Sequence, residues 1–482
     1  LANLRIEESQ QMRLSILIAI VLCLIGAVIY AITVNNEKEV AAVTISKQLF
    51  VATDGDDEND GTKEDPLRTI QAAVDQAQAG TTIYIRGGTY FGSVEVNHSG
   101  KKANPLIIRN YDNEKVIISG RDLEPEEDTA LLHIDSQSYI TIQGLTIQDL
   151  KTNASDLAVM GIYVTGSSSQ ITIIQNYIQH IETTSDEGNA HGIAVYGTGE
   201  MKQIQIMDNV VEELTLGASE AVVLNGNIDG FTVSGNRVRN NNNIGIDLIG
   251  YEGVAEDPGA DYVRNGTVEN NTVHNNSSYG NPAYGEDYSA GGIYIDGAQN
   301  VTVQRNRVFH NDIGIEATSE HKGRYADNIK IMKNVVYENH YTGISIGGYD
   351  EERGGTKNAS IMYNVLYQND TKDLYGGQLL LQHDIQDNTI SHNVFTASKT
   401  GLFIANDFQT NTNTQLKRNV YEEEQNLDVS WTWKQAEYHN FANYKEATGQ
   451  EADSVYMDIQ YNDISSKDFS LKEGTPAQSV ID

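Results

Sequence analysis

From about residue 105 one pattern of apolar and polar positions recurs along the chain. It runs alternating strand, asparagine, short apolar segment, polar loop, and a second strand that opens with Gly-Ile. Ile171-Thr-Ile-Ile-Gln-Asn176, Phe231-Thr-Val-Ser-Gly-Asn236, Val301-Thr-Val-Gln-Arg-Asn306, Ile329-Lys-Ile-Met-Lys-Asn334 and Ala359-Ser-Ile-Met-Tyr-Asn364 are instances. Period-two alternation is the mark of a strand with one buried face. The turn asparagines fall at Asn176, Asn209, Asn236, Asn271, Asn306, Asn334, Asn364, Asn393 and Asn419, so successive gaps run from 26 to 35 residues. Gly144 holds the same place one turn earlier. Such a period, built from short strands without intervening helices, predicts a solenoid of parallel strands. A leucine-rich repeat lacks its Leu-x-x-Leu-x-Leu signature here, and a propeller blade needs four strands in ~40 residues. Equivalent positions on successive coils stack at ~4.8 Å. An asparagine at each corner is therefore predicted to bond the backbone and the next asparagine as an internal ladder. That ladder also accounts for Asn-x-Ser/Thr triplets such as Asn300-Val-Thr and Asn358-Ala-Ser, read as structural rather than glycosylated.

Ahead of the repeat, Asp54-Gly-Asp-Asp-Glu-Asn-Asp60-Gly61 reads as a solvated acidic turn. Glu58 and Leu67 break the calcium-loop spacing there. Ile70, Ala73, Val74 and Ala77 then form a helical stripe that ends at Gly80. Further upstream, Leu14 to Val34 is apolar except for Ser15, Gly26 and Thr33. At ~1.5 Å per residue this run matches the ~30 Å hydrocarbon core of a bilayer. It is expected to act as a retained anchor or a cleaved signal, and either places the body outside the cytoplasm. Leu1 to Gln11 is polar and serves neither reading, which makes Met12 a candidate start. The expected organisation is 1–45 anchor or signal, 46–104 cap and first coils, 105–420 repeats, and 421–482 closing cap.

Composition narrows the partners. Acidic residues outnumber basic ones 67 to 33 over 482 residues, for a net charge of -34. Duplex nucleic acid, which needs a cationic surface, is excluded as an expected partner. A hydrophobic fraction of 39% and 26 Tyr exclude a disordered acidic tail. With Cys23 as the single cysteine, no intrachain disulfide exists and stability must come from burial and backbone bonding.

Phe50-Val-Ala-Thr-Asp-Gly-Asp-Asp57, Pro66-Leu-Arg-Thr-Ile-Gln-Ala-Ala73 and Thr82-Ile-Tyr-Ile-Arg-Gly-Gly-Thr-Tyr90 resemble the N-terminal cap of pectin-lyase-like right-handed β-helix proteins. The similarity is greatest to those related to family 9 pectate lyases. Ala447-Thr-Gly-Gln-Glu-Ala-Asp453 through Phe469-Ser-Leu-Lys-Glu-Gly-Thr-Pro-Ala477 resembles their closing segment. The resemblance spans about residues 48–482 and implies an all-β, right-handed parallel β-helix with a short N-terminal capping helix. It carries over no catalytic residue, because the family 9 motifs that hold calcium and the catalytic lysine are absent.

Chemistry is sought on the outward positions of the Gly-Ile strands. These read Val223 and Asn225, Asp247 and Ile249, Tyr294 and Asp296, Glu316 and Thr318, Ser345 and Gly347, Leu379 and Leu381, then Phe403 and Ala405. Carboxylates are confined to the middle turns, at Asp247, Asp296 and Glu316. Asp296 and Glu316 are diagonal neighbours, ~7–8 Å apart between backbones. Such a pair suits the acid and base of an inverting glycosidase. The same three oxygen donors are the candidate calcium ligands, where the ion would bridge a uronate and permit β-elimination. No organic cofactor is expected.

The loops 250–262 and 276–288 lengthen the period where the acids cluster, as the walls of a cleft would. They supply Tyr251 and Tyr288 which, with Tyr294, are candidate sugar contacts. The bend Ser319-Glu-His-Lys-Gly-Arg324 offers His321 and Lys322 as bases and Arg324 as a carboxylate clamp. Tyr349, Asp350 and His383 would extend the groove. The expected function is cleavage of an extracellular polysaccharide by β-elimination, by a monomer that touches the membrane only through its N-terminal segment. Hydrolysis by the carboxylate pair and a non-catalytic glycan-binding rod are the alternatives.

Overall fold

The first strand pairing is parallel and long in range: Gln48–Val51 lies beside Thr82–Ile85 in register. That relation repeats to the far end, where Val420–Glu422 pairs with Val455–Tyr456, so the ladder continues into the predicted closing cap. The chain is an all-β parallel β-helix. This computed structural model describes residues 47–424 and 426–481. The apolar run at 14–34 lies outside the described residues; among the described residues no helix is long and apolar enough to cross a membrane.

Each coil contributes two strands to one continuous sheet and a third, short strand to a separate 13-stranded sheet. Six coils of the first face carry the site: β1 (Asn189–Met207), β2 (Val222–Ser234), β3 (Ile246–Ile249), β4 (Gly291–Asp296), β5 (Ile313–Thr318) and β6 (Thr342–Ile346). Their inward row, Ile193, Val222, Ile246, Ile293, Ile315 and Ile344, is in register and fully buried. The glycine ahead of each isoleucine has a steric cause. A Cβ on Gly314 would stand 2.3 Å from the Gly343 carbonyl oxygen and 2.5 Å from Val336. Backbones of neighbouring coils close on each other there, and only glycine leaves the room.

The predicted asparagine ladder exists. In Asn271 the backbone N–H donates to Asn306 Oδ1 (2.9 Å), and Nδ2 donates to Val233 O (2.9 Å) and to the same Oδ1 (3.0 Å). The pattern runs from Asn176 to Asn419. A second ladder, not predicted, links Asn241, Asn276, Asn311, Asn339 and Asn369, and Gln378 caps it. Asn300 and Asn358 belong to neither. They sit exposed at left-handed corners (φ 55° for both) and bond Asn265 and Asp327.

α1 (Ile70–Gln76) covers the first coil with Ile70, Ala73 and Val74. Thr69 caps it by accepting the Ala72 N–H. The far end is closed by α2 (Phe441–Thr448), whose Tyr444 ring stacks on Trp431 at 5.8 Å. Near that end the expected outward residues shift. Leu379 pairs with Ile344 and is inward, as is Leu381, leaving Leu380 to follow Ser345 on the outer row. Phe403 is likewise buried and stacks on Trp431 at 4.9 Å.

Candidate active site

The outward row of the same six strands reads Ala194, Val223, Asp247, Tyr294, Glu316 and Ser345. Asp296 lies two residues past Tyr294, so it is diagonal to Asp247 on one side and to Glu316 on the other. These side chains leave the sheet outward as expected, but loops cover them. Asp247 is 2% and Asp296 3% exposed. Both line a cleft of about 500 Å³ with Glu220, Glu252, Glu320 and Tyr294. The extended loops do form its walls: 250–262 brings Glu252 and 276–289 brings Tyr284. His191, Tyr196 and Asn225 complete the side toward the N-terminus.

Electrostatics in the cleft favours protonated acids. Asp247 Oδ1 is buried without a partner. Burial first, then the charges of Glu220 and Asp296, push its carboxyl well above the usual range. Burial also raises Asp296, helped by Glu320 and Glu252, whereas the Glu320 backbone N–H donated to its Oδ1 (2.7 Å) favours the charged form. Glu220 is pushed up to about 8 by burial and the Glu252 charge. His191, whose Nδ1 lies 3.6 Å from Glu220, is lowered to about 4 by burial, so both groups are neutral between those values.

Glu320 is the hinge of the far wall. It accepts the Tyr294 hydroxyl (2.6 Å), the Tyr349 hydroxyl (2.9 Å) and Arg353 Nε (2.7 Å). Sequence reasoning passed over Glu320, Glu220, Glu252 and His191. The loop acids have no period to expose them. Glu220 and His191 sit just ahead of or at the start of Gly-Ile strands, where the row of outward positions begins one step earlier than the alternation indicates.

Several expected residues lie elsewhere. Glu316 does not line the cleft. It is buried within the outer row, takes the Ser345 hydroxyl at 3.2 Å, and is raised to about 8 by burial and the Glu320 charge. The basic bend is turned to structural pairings. His321 Nε2 meets Glu252 (3.0 Å), Lys322 meets Glu352 (3.1 Å) at the surface, and Arg324 lies over the Tyr251 ring (4.6 Å). Tyr251 stacks on Tyr262 and takes the Gln299 amide, so it braces a wall. Asp350 caps its own turn through the N–H groups of Glu352 and Arg353. His383 packs on Phe408 and Thr410, farther along. Tyr288 faces away, toward His340 and Lys372. Among the described residues no group of three or more His, Cys, Asp or Glu is placed to hold a metal ion, and the expected set Asp247, Asp296 and Glu316 is divided by Tyr294.

Residues 49–231 match the family model described as the Pel9A-like, right handed beta helix region. The uncharacterized protein YwoF of Bacillus subtilis is 57% identical over 435 residues, covering 90% of this chain and 92% of its own. Pectate lyase PEL9 of Emericella nidulans is 38% identical over 107 residues, 20% of this chain and 26% of its own. Among solved structures, a GH136 lacto-N-biosidase from Eubacterium ramulus superposes with a TM-score of 0.52 at 13% identity, over 86% of this chain and 67% of that one. The A-module of the Azotobacter vinelandii mannuronan C-5 epimerase AlgE6 gives 0.51 at 12% identity, over 81% of this chain and 95% of that one. At these identities the superpositions establish a shared fold. The matched span 49–231 contains His191 and Glu220 and ends before Asp247.

Proposed function

Because the chain belongs to one family with the uncharacterized protein YwoF and carries a Pel9A-like, right handed beta helix region over residues 49–231, we propose that it cleaves a glycosidic bond in an extracellular polysaccharide by hydrolysis. Asp247 and Asp296 are the catalytic pair in this reading. The observation that carries it is the composition of the cleft: it is lined by carboxyl groups, tyrosines, His191 and Asn225, with no lysine or arginine. A neutral sugar suits such a lining; a polyuronate finds no cation in it to pair its carboxylates. Diagonal neighbours stand ~7–8 Å apart between backbones, a spacing from which two carboxyl groups reach the ~6.5–9.5 Å separation at which one protonates a leaving oxygen while the other activates water.

Roles follow from the surroundings. Asp247, with Oδ1 unpartnered and crowded by Glu220 and Asp296, keeps its proton and is the acid. Asp296 is also raised by burial, but the Glu320 N–H offsets part of that push, and it is the base. Water attacks the anomeric carbon and gives a proton to Asp296. The Asp247 proton passes to the departing glycosidic oxygen. No metal ion takes part in these steps. The apolar run at 14–34 supports an exported or surface-held protein.

Elimination is the second reading, favoured by the likeness of part of the chain to pectate lyase PEL9. One assay separates the two. Neutral and uronic-acid polysaccharides are incubated with the protein, with and without calcium, and followed for reducing ends and for an absorbing C=C bond. New reducing ends without unsaturation, insensitive to chelator, are expected, with loss of ~10³-fold or more in Asp247→Asn and Asp296→Asn. Unsaturated products would replace hydrolysis by elimination. No depolymerisation of any substrate would leave a binding rod.

A further inference from the structure

A second hollow, of about 510 Å³, opens away from the acidic cleft and shares no lining residue with it. It lies at the corner where the short third strands return to the first face, and His310, His340, Thr371, Lys372, Ser398 and Lys399 line it. Its charge runs against that of the molecule. The two acids on its wall are already engaged. Glu338 is held by Lys467 (2.5 Å) and His310 (3.0 Å), and Glu424 takes the Tyr367 hydroxyl (3.0 Å) and the Gln368 amide (2.8 Å). Lys372 and Lys399 pair with no carboxylate among the described residues. In a chain of net charge -34, two unpaired ammonium groups against Glu424, the one lining acid with no cation beside it, leave a local excess of positive charge in the hollow.

His340 is built into this hollow. Its Nδ1 lies 2.9 Å from Asp312 Oδ1, and Asp312 is fully buried. The same carboxylate accepts the Ser277 hydroxyl, the Ser278 N–H and hydroxyl, and the Ala290 N–H. With every other partner a donor, Nδ1 must donate as well, which fixes the ring and leaves the imidazole Nε2 as an acceptor for a ligand hydroxyl. At the rim the Tyr288 ring stands 5.3 Å from His340 and 5.5 Å from Lys372, and it stacks on the half-exposed Tyr279 at 4.6 Å. The two lysines recognise an anionic group, the oriented imidazole accepts a hydroxyl beside it, and the adjoining aromatic pair presents, in the half-exposed Tyr279, a flat apolar surface for a pyranose ring.

We propose that this hollow is a second carbohydrate-binding site, separate from the cleft, that takes a sugar carrying a carboxylate or a phosphate. Lys372 and Lys399 hold the anion, His340 Nε2 accepts a sugar hydroxyl, and the stacked Tyr279–Tyr288 pair holds the ring. The loop 276–289 is common to both sites, because Tyr284 lines the cleft and Tyr288 edges the hollow. A glycan with an acidic unit here and a neutral bond in the cleft would be gripped on both sides of one wall.

Binding is measured on the full chain at low salt by ligand-observed NMR, with glucuronate, glucose 6-phosphate, glucose and inorganic phosphate as probes. Saturable binding of glucuronate or glucose 6-phosphate is expected, with the stronger of the two identifying the anion. The double variant Lys372→Ala/Lys399→Ala should weaken it tenfold or more, Tyr288→Ala should weaken the sugar but not inorganic phosphate, and Asp247→Asn should leave it unchanged. Thermal unfolding of each variant confirms that it folds. Absence of saturable binding to both charged sugars, binding that survives the double lysine variant, or inorganic phosphate bound as tightly as the sugar phosphate would overturn the proposal.

Discussion

Asp247 and Glu316 occupy the same outward row, two rungs apart, yet their surroundings give them different work. Asp247 opens on the cleft with an unpaired oxygen; Glu316 is enclosed and satisfied by Ser345. The parity of the alternating strands placed Asp247, Asp296 and Glu316 correctly on one face. It was silent about depth, because depth is decided by loops from other coils. The basic bend was misjudged for the same reason: Glu252 and Glu352, which neutralise His321 and Lys322, are distant in sequence. Enclosure of Glu316 has a measurable cost. Its folded carboxyl titrates at about 8 against an ordinary 4.5, so between those values the folded state holds a proton that the unfolded chain has released. Stability contributed by this group therefore falls as pH rises from about 4.5 to 8. Glu316→Gln removes that dependence. Denaturation curves should show the variant gaining on the parent by on the order of several kcal/mol at pH 8 and by little at pH 4. Parallel pH profiles for the two proteins would show that Glu316 ionises freely in the fold.

At the scale of an element, the corner asparagines do what backbone does elsewhere. Strand ends must turn without leaving N–H and C=O groups buried and unpaired, and each ladder asparagine closes one such account for the coil before it. This was legible because Asn recurs at one offset after each alternating run. The second ladder was equally legible and went unread: Asn241, Asn276, Asn311, Asn339 and Asn369 each stand five residues after an asparagine of the first, and only Gln378 ends the series with a different residue type. The helix α1 was legible from its i, i+3, i+4 stripe. Asn306→Ala deprives the Asn271 N–H and the Val268 carbonyl of their partners. A loss of ~2–5 kcal/mol is expected from two buried backbone groups left unsatisfied. Asn358→Ala, exposed at its corner, should change stability by no more than ~0.5 kcal/mol. Equal effects in urea titrations of the two variants would remove the distinction between internal ladder and surface turn.

For the whole molecule the question is how a chain of net charge -34 meets a polysaccharide. The β-helix gathers Glu220, Asp247, Glu252, Asp296 and Glu320 into one cleft. Two consequences oppose each other. In the proposed hydrolysis the crowded acids would keep protons available, while the negative charge of the molecule as a whole would repel an anionic chain. Screening lengths fall from ~30 Å at 0.01 M to ~10 Å at 0.1 M salt, so repulsion between the protein and polyuronate should weaken sharply over that range. A neutral glycan carries no charge to screen. If Asp247 and Asp296 act on neutral sugar, kcat/KM for the neutral substrate should change less than about twofold between 0.01 and 0.1 M salt. Any affinity of the cleft for polyuronate should rise several-fold over the same interval. Binding at the cationic hollow runs the other way and weakens with salt, because there attraction is screened. A single salt titration of wild type and of the Lys372→Ala/Lys399→Ala variant therefore separates the two surfaces by the sign of the slope. A neutral-substrate rate that climbs with ionic strength as steeply as polyuronate binding would mean that the cleft acts on an anionic chain after all.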